Sequence, residues 1–362
     1  MARTYRAAVI GCSRMGGFID NEVVGSPGHV PPYSHGAGFY TCERTNLVAC
    51  SDLRPDVMEA FGQRYDVPKE RQYVDYRELI DKEQPDIASV ATQPEPRAEI
   101  VVYAATHGVK AIYAEKAMAA SMAEADAMVE AVERHGVVFN LGTLRRWSLG
   151  FDRIKEIIDS GELGALRTLI IYENGTLFNT ASHTFDLVLR LNSDRPVAWV
   201  QAHLPNGDAL LDGDILRDDP RGHGIIQFEN GVTAYALLTS RGSEYEAHCE
   251  RGTMTSLSNG VDWQLRRRVP VDPQGRTGLV AEPFPMPPPA SRTLRLIEDL
   301  VQALDTGTPP RGGVRVARAS TELIFAFVES HRRGGARVAL PLEGCNVRLQ
   351  RSRGPNRPKL TV

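Results

Sequence analysis

The fold follows from the stretch Ala8-Val9-Ile10-Gly11-Cys12-Ser13-Arg14-Met15-Gly16-Gly17, in which an apolar strand runs directly into a glycine-rich turn. Such a turn lets backbone N–H groups approach a pyrophosphate closely at the edge of a parallel sheet. Ser13 stands where the usual pattern has a second glycine, and serine is small enough to permit the same approach. An ordinary strand-to-helix turn explains the glycines equally well when they are taken alone, but their place on the first strand favours cofactor binding.

Apolar runs alternate with helical patterns through residues 1–142, as expected for a parallel sheet covered by helices on both faces. The predicted strands are residues 5–10, 47–51, 86–91, 110–114 and 137–141. A helix is predicted over 121–135, because its apolar residues recur at helical spacing and Ser121 with Glu124 forms a capping box. The sequence therefore predicts a doubly wound α/β domain in this half.

The pattern changes after Gly142, where one amphipathic helix closed by Gly161 is followed by alternating strands. The clearest strands are residues 166–172, 197–203, 224–229 and 232–240. Asn230-Gly231, between the last two, is a strong signal for a two-residue hairpin. Antiparallel pairing is therefore predicted for this half of the chain.

The proline-rich run 283–289 cannot form an interior strand or helix and predicts a stiff surface connection. Helices are predicted after it, over 291–306 and 314–332. The expected domains are residues 1–142 and 143–343, followed by a basic tail over 344–362. A charge run of this kind is usually a solvated terminus, and an arm that binds a neighbouring subunit is the alternative.

At 362 residues, with 42 % apolar and 24 % charged residues, the chain fits a globular protein of two domains. Its net charge of −3 gives no broad electrostatic case for nucleic-acid binding. No apolar run approaches the roughly 20 residues that span a bilayer, so we expect a cytoplasmic protein without a membrane partner.

We expect no metal site. The five cysteines do not pair at metal-binding spacing, and the nine histidines lack the pairing with a carboxylate that marks zinc hydrolases. An acidic run is formed by Asp212, Asp214, Asp218 and Asp219. It lacks the distal glutamate of a calcium loop and is interpreted as a solvated loop.

The second predicted strand ends in Cys50-Ser51-Asp52. A carboxylate at this place accepts hydrogen bonds from adenosine ribose hydroxyls and repels a 2′-phosphate, so Asp52 favours NAD over NADP. Arg54 keeps NADP as the less favoured alternative. The chain between Gly11 and Asp52 is longer than usual, and the excess lies in residues 19–33. This insertion is either a loop at the cofactor edge that covers the substrate or a neutral surface insertion.

A carboxylate and a lysine end another predicted strand, in the segment Lys110-Ala111-Ile112-Tyr113-Ala114-Glu115-Lys116-Ala117-Met118-Ala119. Because the carboxyl ends of parallel strands share one edge of the sheet, Lys116 and the glycine turn are expected at the same edge. Oxidation of a carbinol carbon requires a base for the hydroxyl proton beside the nicotinamide ring. A lysine pKa of about 10.4 falls in a low-dielectric pocket beside that positive ring, so Lys116 suits this role.

Together these features resemble the glucose–fructose oxidoreductase / inositol dehydrogenase / rhizopine catabolism (Gfo/Idh/MocA) family. The resemblance extends to Glu343 and rests on the glycine turn, the strand end Ala91-Thr92-Gln93-Pro94, Glu115-Lys116, Arg145-Arg146-Trp147, Ser160-Gly161-Glu162-Leu163-Gly164 and the spacing of Asn179, His183 and Asp186. The family implies an N-terminal Rossmann domain and a C-terminal α/β domain with a large, mainly antiparallel sheet that is often used for oligomerisation, with the substrate between the two. It also implies NAD or NADP, a carbohydrate substrate and a homodimer or homotetramer.

The resemblance assigns residues as well. Cofactor contacts are implied for Gly11, Ser13, Arg14, Met15, Asp52, Arg54, Thr92, Gln93 and Glu115, with Glu115 near the nicotinamide ribose. Lys116 would touch the reacting hydroxyl and His183 would be the second acid/base group. Substrate contacts are implied for Arg145, Arg146, Asn179 and Asp186.

Two positions depart from the family pattern. Ala117 replaces the proline of the family's Glu-Lys-Pro, which removes the ring that shapes that turn. Asn179 replaces an aspartate, so it is interpreted as a substrate hydrogen-bonding residue that cannot exchange a proton.

Two reactions fit these residues. The first is NAD-dependent oxidation of a ring hydroxyl of a sugar, sugar acid, cyclitol or glycoside. The second is redox-neutral glycoside hydrolysis, in which C3 oxidation permits elimination and water addition before the hydride returns; some relatives work in this way, including enzymes for sulfoquinovosides. Arg14, Arg145 and Arg146 suit an anionic sugar group, and a purely structural role of Arg146 is an equal alternative. A cofactor-binding sensor is a third, non-enzymatic interpretation, against which Lys116 and His183 argue.

Overall fold

The computed structural model describes residues 3–352, 354 and 357–361, and these divide into two compact units. Unit 1 comprises the chain up to Trp147, Ala290–Ala319 and the segment from Gln350 onward. Unit 2 comprises Ser148–Pro289 and Ser320–Leu349. The units differ from the consecutive domains expected from the sequence, because a segment beyond residue 289 folds with unit 1.

Unit 1 contains a parallel sheet. Its strands are β1 (Tyr5–Ile10), β2 (Thr45–Ser51), β3 (Gln72–Tyr73), β4 (Ile87–Val90), β5 (Ala111–Ala114) and β6 (Val138–Leu141). Its helices before residue 147 are α1 (Asp20–Val23), α2 (His35–Thr41), α3 (Pro55–Arg64), α4 (Tyr76–Glu83), α5 (Pro94–Thr106) and α6 (Met122–Arg134). In the described part of the chain these strands pair in parallel in the order β3-β2-β1-β4-β5-β6, which confirms the predicted doubly wound sheet.

Unit 2 contains a large sheet. The strands of unit 2 are β7 (Leu166–Glu173), β8 (Val197–His203), β9 (Leu211–Asp212), β10 (Ile215–Leu216), β11 (His223–Phe228), β12 (Thr233–Leu238), β13 (Glu244–Cys249), β14 (Gly252–Leu257), β15 (Asp262–Pro270), β16 (Thr277–Glu282), β17 (Val338–Ala339) and β18 (Arg348–Leu349). Of these, β9, β10 and β18 form a separate small sheet in the order β18-β10-β9. The helices of unit 2 before residue 200 are α7 (Leu149–Ser160) and α8 (Ser182–Leu191).

Among the described strands, nine form one sheet in the order β16-β15-β14-β13-β7-β12-β11-β8-β17. The β7–β12 pairing is parallel and the neighbouring pairings are antiparallel, so the mainly antiparallel sheet is confirmed. β11 and β12 form the predicted hairpin, with Gly231 in its turn at φ +87°. A side chain is strained at that φ, which is why the Asn-Gly pair marks the turn.

The later helices are α9 (Arg292–Thr306) and α10 (Val314–Arg332). The apolar side chains of α9 fall on one face, and Leu296, Ile297 and Leu300 join Phe39 and Trp147 in the core of unit 1. Burying each such side chain contributes ~2 kcal/mol, which holds this late segment on the N-terminal sheet. No helix among the described residues is long and apolar enough to cross a membrane.

Candidate active site

The glycine turn follows β1 and is closed by tight backbone contacts. Gly11 has φ +91°, and a Cβ at Gly16 would lie 1.8 Å from the Gly11 carbonyl oxygen. A Cβ at Gly17 would lie 2.6 Å from the ring of Phe61. The Gly11 N–H donates to the Ser51 carbonyl at 2.7 Å, which joins the turn to the end of β2. The backbone therefore requires glycine at positions 11 and 16, and the Phe61 ring leaves no room for a side chain at position 17.

Two buried hydroxyl groups near this turn have no hydrogen-bond partner among the described residues: Ser13 Oγ and Thr92 Oγ1. Thr92 follows β4, which pairs with β1, so both hydroxyls belong to the carboxyl edge of the sheet. A buried hydroxyl without a partner costs ~1–3 kcal/mol unless a bound molecule supplies one. The edge therefore fits the polar phosphate and ribose groups of a dinucleotide.

Asp52 lies at the end of β2 and is buried. Its Oδ2 accepts from the Cys12 N–H at 2.9 Å, and its Oδ1 accepts from the Arg54 N–H at 2.9 Å. The Arg54 guanidinium lies 3.5 Å from Oδ1. Each carboxylate oxygen keeps a lone pair for a ribose hydroxyl, so the predicted role fits. Asp52 also holds the glycine turn in place, a structural role that the sequence did not reveal.

Other predicted cofactor residues contact neighbouring side chains. Arg14 is exposed and pairs with Glu22 of α1 at 2.7 Å, while Met15 is half-buried in the turn. Gln93 Oε1 accepts from Arg351 at 2.7 Å, and Arg351 also pairs with Glu95 at 2.7 Å. Within unit 1, Arg351 of the basic tail is therefore held by two side chains, contrary to the expectation of a solvated terminus.

Glu115 and Lys116 follow β5. The Glu115 side chain is buried and its Oε2 accepts from the Lys116 N–H at 3.1 Å, whereas the Lys116 side chain is half-buried. The peptide bond between Lys116 and Ala117 is cis. A Cβ at Gly142 would lie 2.9 Å from Glu115 Oε1, so glycine at the end of β6 leaves room for the carboxylate.

The Glu115 carboxyl is held in its ionised form. Burial raises its pKa, but the hydrogen bond and charge of His35 and the charges of Lys116 and Arg97 lower it more, so the pKa lies below its usual value. A buried carboxylate therefore lies directly before the lysine in the chain.

His35 is a residue of this site that the sequence did not reveal. It begins α2 and is fully buried, with Nδ1 2.6 Å from Ser89 Oγ and Nε2 3.1 Å from Glu115 Oε1. Its ring stacks on Tyr113 at a centroid distance of 3.8 Å. A partner 80 residues away in the chain leaves no local motif, and the one sequence signal here is Ser34, a helix N-cap.

Arg97 of α5 supports the same edge. Its buried guanidinium donates to the carbonyl oxygens of Ala117 and Thr92, which joins the turn after β5 to the turn after β4. Burial lowers the pKa of Arg97 to about 10, against the opposing charges of Glu115 and Glu95, so the group stays charged at neutral pH. Sequence reasoning missed this residue because its acceptors are backbone carbonyls.

Arg145 and Arg146 are buried in a short 3₁₀ turn after β6, Leu144–Trp147. Arg146 donates to the Arg311 carbonyl at 3.2 Å, which gives it a structural role within unit 1. Burial and the positive charges of Arg292 and Arg145 lower the pKa of His29. Arg145 therefore lies within electrostatic range of the insertion.

The insertion 19–33 is attached at several points. The Asp20 carboxylate accepts from the Tyr33 N–H at 2.7 Å and from the Ser34 N–H at 3.0 Å, and Thr293 Oγ1 donates to the Tyr33 carbonyl at 2.8 Å. The segment is thus an ordered part of unit 1 that includes α1. Coverage of the substrate by this segment stays a prediction.

In unit 2, Asn179 lies in a π turn, Leu177–Ala181, and His183 and Asp186 lie in the helix α8 that follows. The Asp219 carboxylate fixes this turn, because it accepts from Thr176 Oγ1 (2.6 Å), Phe178 N–H (2.8 Å) and Asn179 N–H (2.9 Å). Asn179 is exposed, His183 half-buried and Asp186 buried. His183 and Asp186 are three residues apart and share one helix face.

Among the described residues there is no group of three or more His, Cys, Asp or Glu side chains that could hold a metal ion.

Residues 5–143 match the model of an oxidoreductase family described by its NAD-binding Rossmann fold. This stretch, less than half of the chain, is similar to the NAD-binding domain of the Gfo/Idh/MocA family. The matched region contains Gly11, Asp52, Thr92, Glu115 and Lys116, which unit 1 brings to one edge of its parallel sheet. Their individual roles stay predictions.

The chain is also similar to a myo-inositol 2-dehydrogenase from Thermotoga maritima, 25 % identical over 202 residues. That match covers 51 % of this chain and 58 % of the relative, so the chain spans less than two thirds of the relative's length. An aldose–aldose oxidoreductase structure from Caulobacter crescentus, complexed with glycerol, has a TM-score of 0.73 at 18 % identity and covers 93 % of this chain and 100 % of that one. An inositol dehydrogenase homologue from Azotobacter vinelandii, complexed with NADH and myo-inositol, has a TM-score of 0.73 at 16 % identity, with coverage of 94 % and 98 %. At such identities the structural likeness shows the fold.

Proposed function

We propose that this protein is an NAD-dependent oxidoreductase that oxidises a ring hydroxyl of a sugar, sugar acid, cyclitol or glycoside. The observation that carries the proposal is the turn at Lys116, where a half-buried lysine follows a buried, ionised carboxylate. The same sheet edge holds the glycine turn and the buried hydroxyls of Ser13 and Thr92, which have no partner in the described part of the chain. The names of the inositol and aldose oxidoreductase relatives support a polyol substrate.

NAD is the proposed cofactor. The backbone of residues 11–17 with Ser13 and Thr92 would hold its phosphates and adjoining sugars, Asp52 the adenosine ribose and Glu115 the nicotinamide ribose. When bound, NAD accepts the hydride from the carbinol carbon. The Asp52 carboxylate disfavours a 2′-phosphate, and the guanidinium of Arg54, 3.5 Å from that carboxylate, reduces the repulsion.

Lys116 is the proposed base. It takes the hydroxyl proton while the carbinol carbon loses its hydride, so the products are a ketone and a lysine ammonium group. A positioned base of this kind contributes roughly 10²–10⁴ to the rate. His183 is proposed as the second acid/base group. Arg145, Arg146, Asn179 and Asp186 are proposed to hydrogen-bond the substrate.

The test is to incubate purified protein with NAD⁺ and myo-inositol, aldoses, sugar acids or chromogenic glycosides, and to follow NADH formation. At least one substrate should yield stoichiometric NADH. Lys116→Met should lower kcat by roughly 10²–10⁴-fold and leave NADH affinity within about threefold. Lys110→Met is the matched control, because Lys110 lies at the opposite end of β5 and pairs with Asp86 at 2.6 Å.

The absence of NADH from every substrate, or full activity of the Lys116 variant, would contradict the proposal. Aglycon release without net NADH, with deuterium from D₂O at C2, would show redox-neutral glycoside hydrolysis instead.

A further inference from the structure

We infer that His35 is a positioning residue of the turn at Lys116: it fixes the Glu115 carboxylate, and through it the Lys116 backbone, in the orientation that oxidation uses. The inference rests on the proposed function of Glu115 and Lys116. It assigns His35 to the reaction without direct contact with substrate or cofactor.

The His35 ring is immobilised on three sides. Nδ1 lies 2.6 Å from Ser89 Oγ, and Nε2 lies 3.1 Å from Glu115 Oε1. One ring face stacks on Tyr113 with an interplanar angle of 12°. Rotation of the ring would break both hydrogen bonds and the stacking together, so the imidazole gives the carboxylate a fixed donor.

The partners determine where the imidazole carries its proton. An ionised carboxylate accepts hydrogen bonds and donates none, so Nε2 of His35 carries the proton that faces Glu115. Nδ1 then accepts from the Ser89 hydroxyl when the ring carries one proton, and donates to it when the ring carries two. The other Glu115 oxygen accepts from the Lys116 N–H at 3.1 Å. One carboxylate is therefore held between an imidazole and the peptide of the proposed base.

Several groups act on the Glu115 carboxylate. The charged and titratable groups in its electrostatic range are His35, Lys116, Arg97, Tyr33 and Tyr113. Burial raises the pKa of Glu115, and the hydrogen bond from His35 is the foremost influence that lowers it. The Arg97 guanidinium donates to the carbonyls of Ala117 and Thr92, so its effect on the carboxylate is through charge. Without the hydrogen bond from His35, fewer interactions oppose the effect of burial on the Glu115 carboxyl, so its pKa rises.

The insertion 19–33 provides the support for this histidine. The Asp20 carboxylate accepts from the N–H groups of Tyr33 and Ser34, directly before His35. Ser34 then caps α2 by accepting from the Ala37 N–H through its hydroxyl. The inference therefore gives the insertion a function besides the two considered from the sequence: it fixes the start of the helix that presents His35.

The experiment compares His35→Phe with His35→Gln. Phenylalanine keeps a ring against Tyr113 but has no donor, whereas the glutamine amide can donate near the former Nε2 position. His107→Gln is the control, because His107 is exposed at the end of α5. NADH affinity is measured by fluorescence titration over a range of pH, which gives a pH profile of binding, and kcat/KM is measured with the substrate that responds best in the panel above.

His35→Phe should weaken NADH binding about tenfold, as expected for loss of one supporting hydrogen bond, and should move the acid limb of the binding profile to higher pH. His35→Gln should restore most of both. Unchanged affinity and profile in the Phe variant, or equal losses in both variants, would overturn the inference.

If circular dichroism shows that His35→Phe does not fold, Ser89→Ala must show the same changes on a smaller scale. Wild-type behaviour of Ser89→Ala would then overturn the inference. A wild-type protein that neither binds NADH nor oxidises any polyol refutes the proposed function, and the inference with it. An active wild type matched by His35→Phe refutes the inference alone.

Discussion

Replacing Asp219 by alanine should loosen the turn that carries Asn179 and leads into α8. The Asp219 carboxylate accepts hydrogen bonds from Thr176 Oγ1, the Phe178 N–H and the Asn179 N–H, at 2.6, 2.8 and 2.9 Å. We take ~1 kcal/mol for each of these half-buried bonds, the net contribution of a typical hydrogen bond. Loss of these three bonds should therefore lower the free energy of unfolding of unit 2 by about 3 kcal/mol. That corresponds to a fall in melting temperature of about 6–12 °C.

The matched control is Asp212→Ala in the same acidic run. Asp212 is exposed and pairs with Arg217 at the surface, so its loss should cost less than about 0.5 kcal/mol. Urea unfolding measures both variants, and hydrogen exchange should accelerate in residues 176–191 of the Asp219 variant. Equal stability of the two variants within about 0.5 kcal/mol, or unchanged exchange in that segment, would refute the reasoning.

Three further outcomes are expected. The pKa of Glu115 lies below its ordinary 4.5 in the folded protein. The ionised carboxylate therefore stabilises the fold above about pH 4.5, and this contribution is lost as the pH falls through the lower folded-state pKa. Glu115→Gln should remove this part of the acid dependence of thermal unfolding. Asp52→Ala should shift relative affinity toward NADPH over NADH by about tenfold, ~1.4 kcal/mol of lost repulsion, and an unchanged ratio in fluorescence titration counts against Asp52 as the selecting residue. The expected homodimer or homotetramer would use the face of the large sheet on which Tyr235 and Leu237 are each 38 % exposed. The double variant Tyr235→Lys, Leu237→Lys should be a monomer by light scattering. An unchanged mass would show that this face is not the subunit interface.

The parallel sheet could be predicted because its strands are buried on both faces and therefore consist of continuous apolar residues. β4 and β5 are buried at every position. The sequence placed the start of β2 two residues late, because Thr45 and Asn46 are polar and yet pair with β1. A two-residue strand such as β3 is too short to show the alternation of apolar and polar residues from which strands are predicted.

The strands β13–β16 were not identified from the sequence, although they belong to the large sheet. β15 shows the reason, because it contains Arg266, Arg267 and Arg268, a run typical of a solvated segment. Its buried residues are Trp263 and Leu265, so buried and exposed positions do alternate along this part of the strand. The charged residues on the solvent-exposed face hide this alternation in the sequence.

Residue type alone also failed to separate the members of the acidic run. Asp212 is exposed, as expected, although it lies in the short strand β9 and not in a loop. Asp219 instead binds backbone groups about 40 residues earlier in the chain. The donors of Asp219 are N–H groups, which every non-proline residue possesses, so no sequence motif marks them. The fold decides which of these aspartates organises the segment before His183.

The fold also determines how far the replacement of the family's proline by Ala117 affects the turn at Lys116. The pair Glu115-Lys116 could be recognised because its members are adjacent, but the groups that orient it lie on α2 and α5. Arg97 holds the carbonyl of Ala117, an acceptor that any residue at this position offers, and His35 holds the carboxylate beside it. The restraint on the lysine turn is therefore distributed over side chains elsewhere in unit 1. Loss of the proline ring is consequently weak grounds for inferring a lost active site, and substitution of His35 or Arg97 should disturb the turn more than the alanine already present.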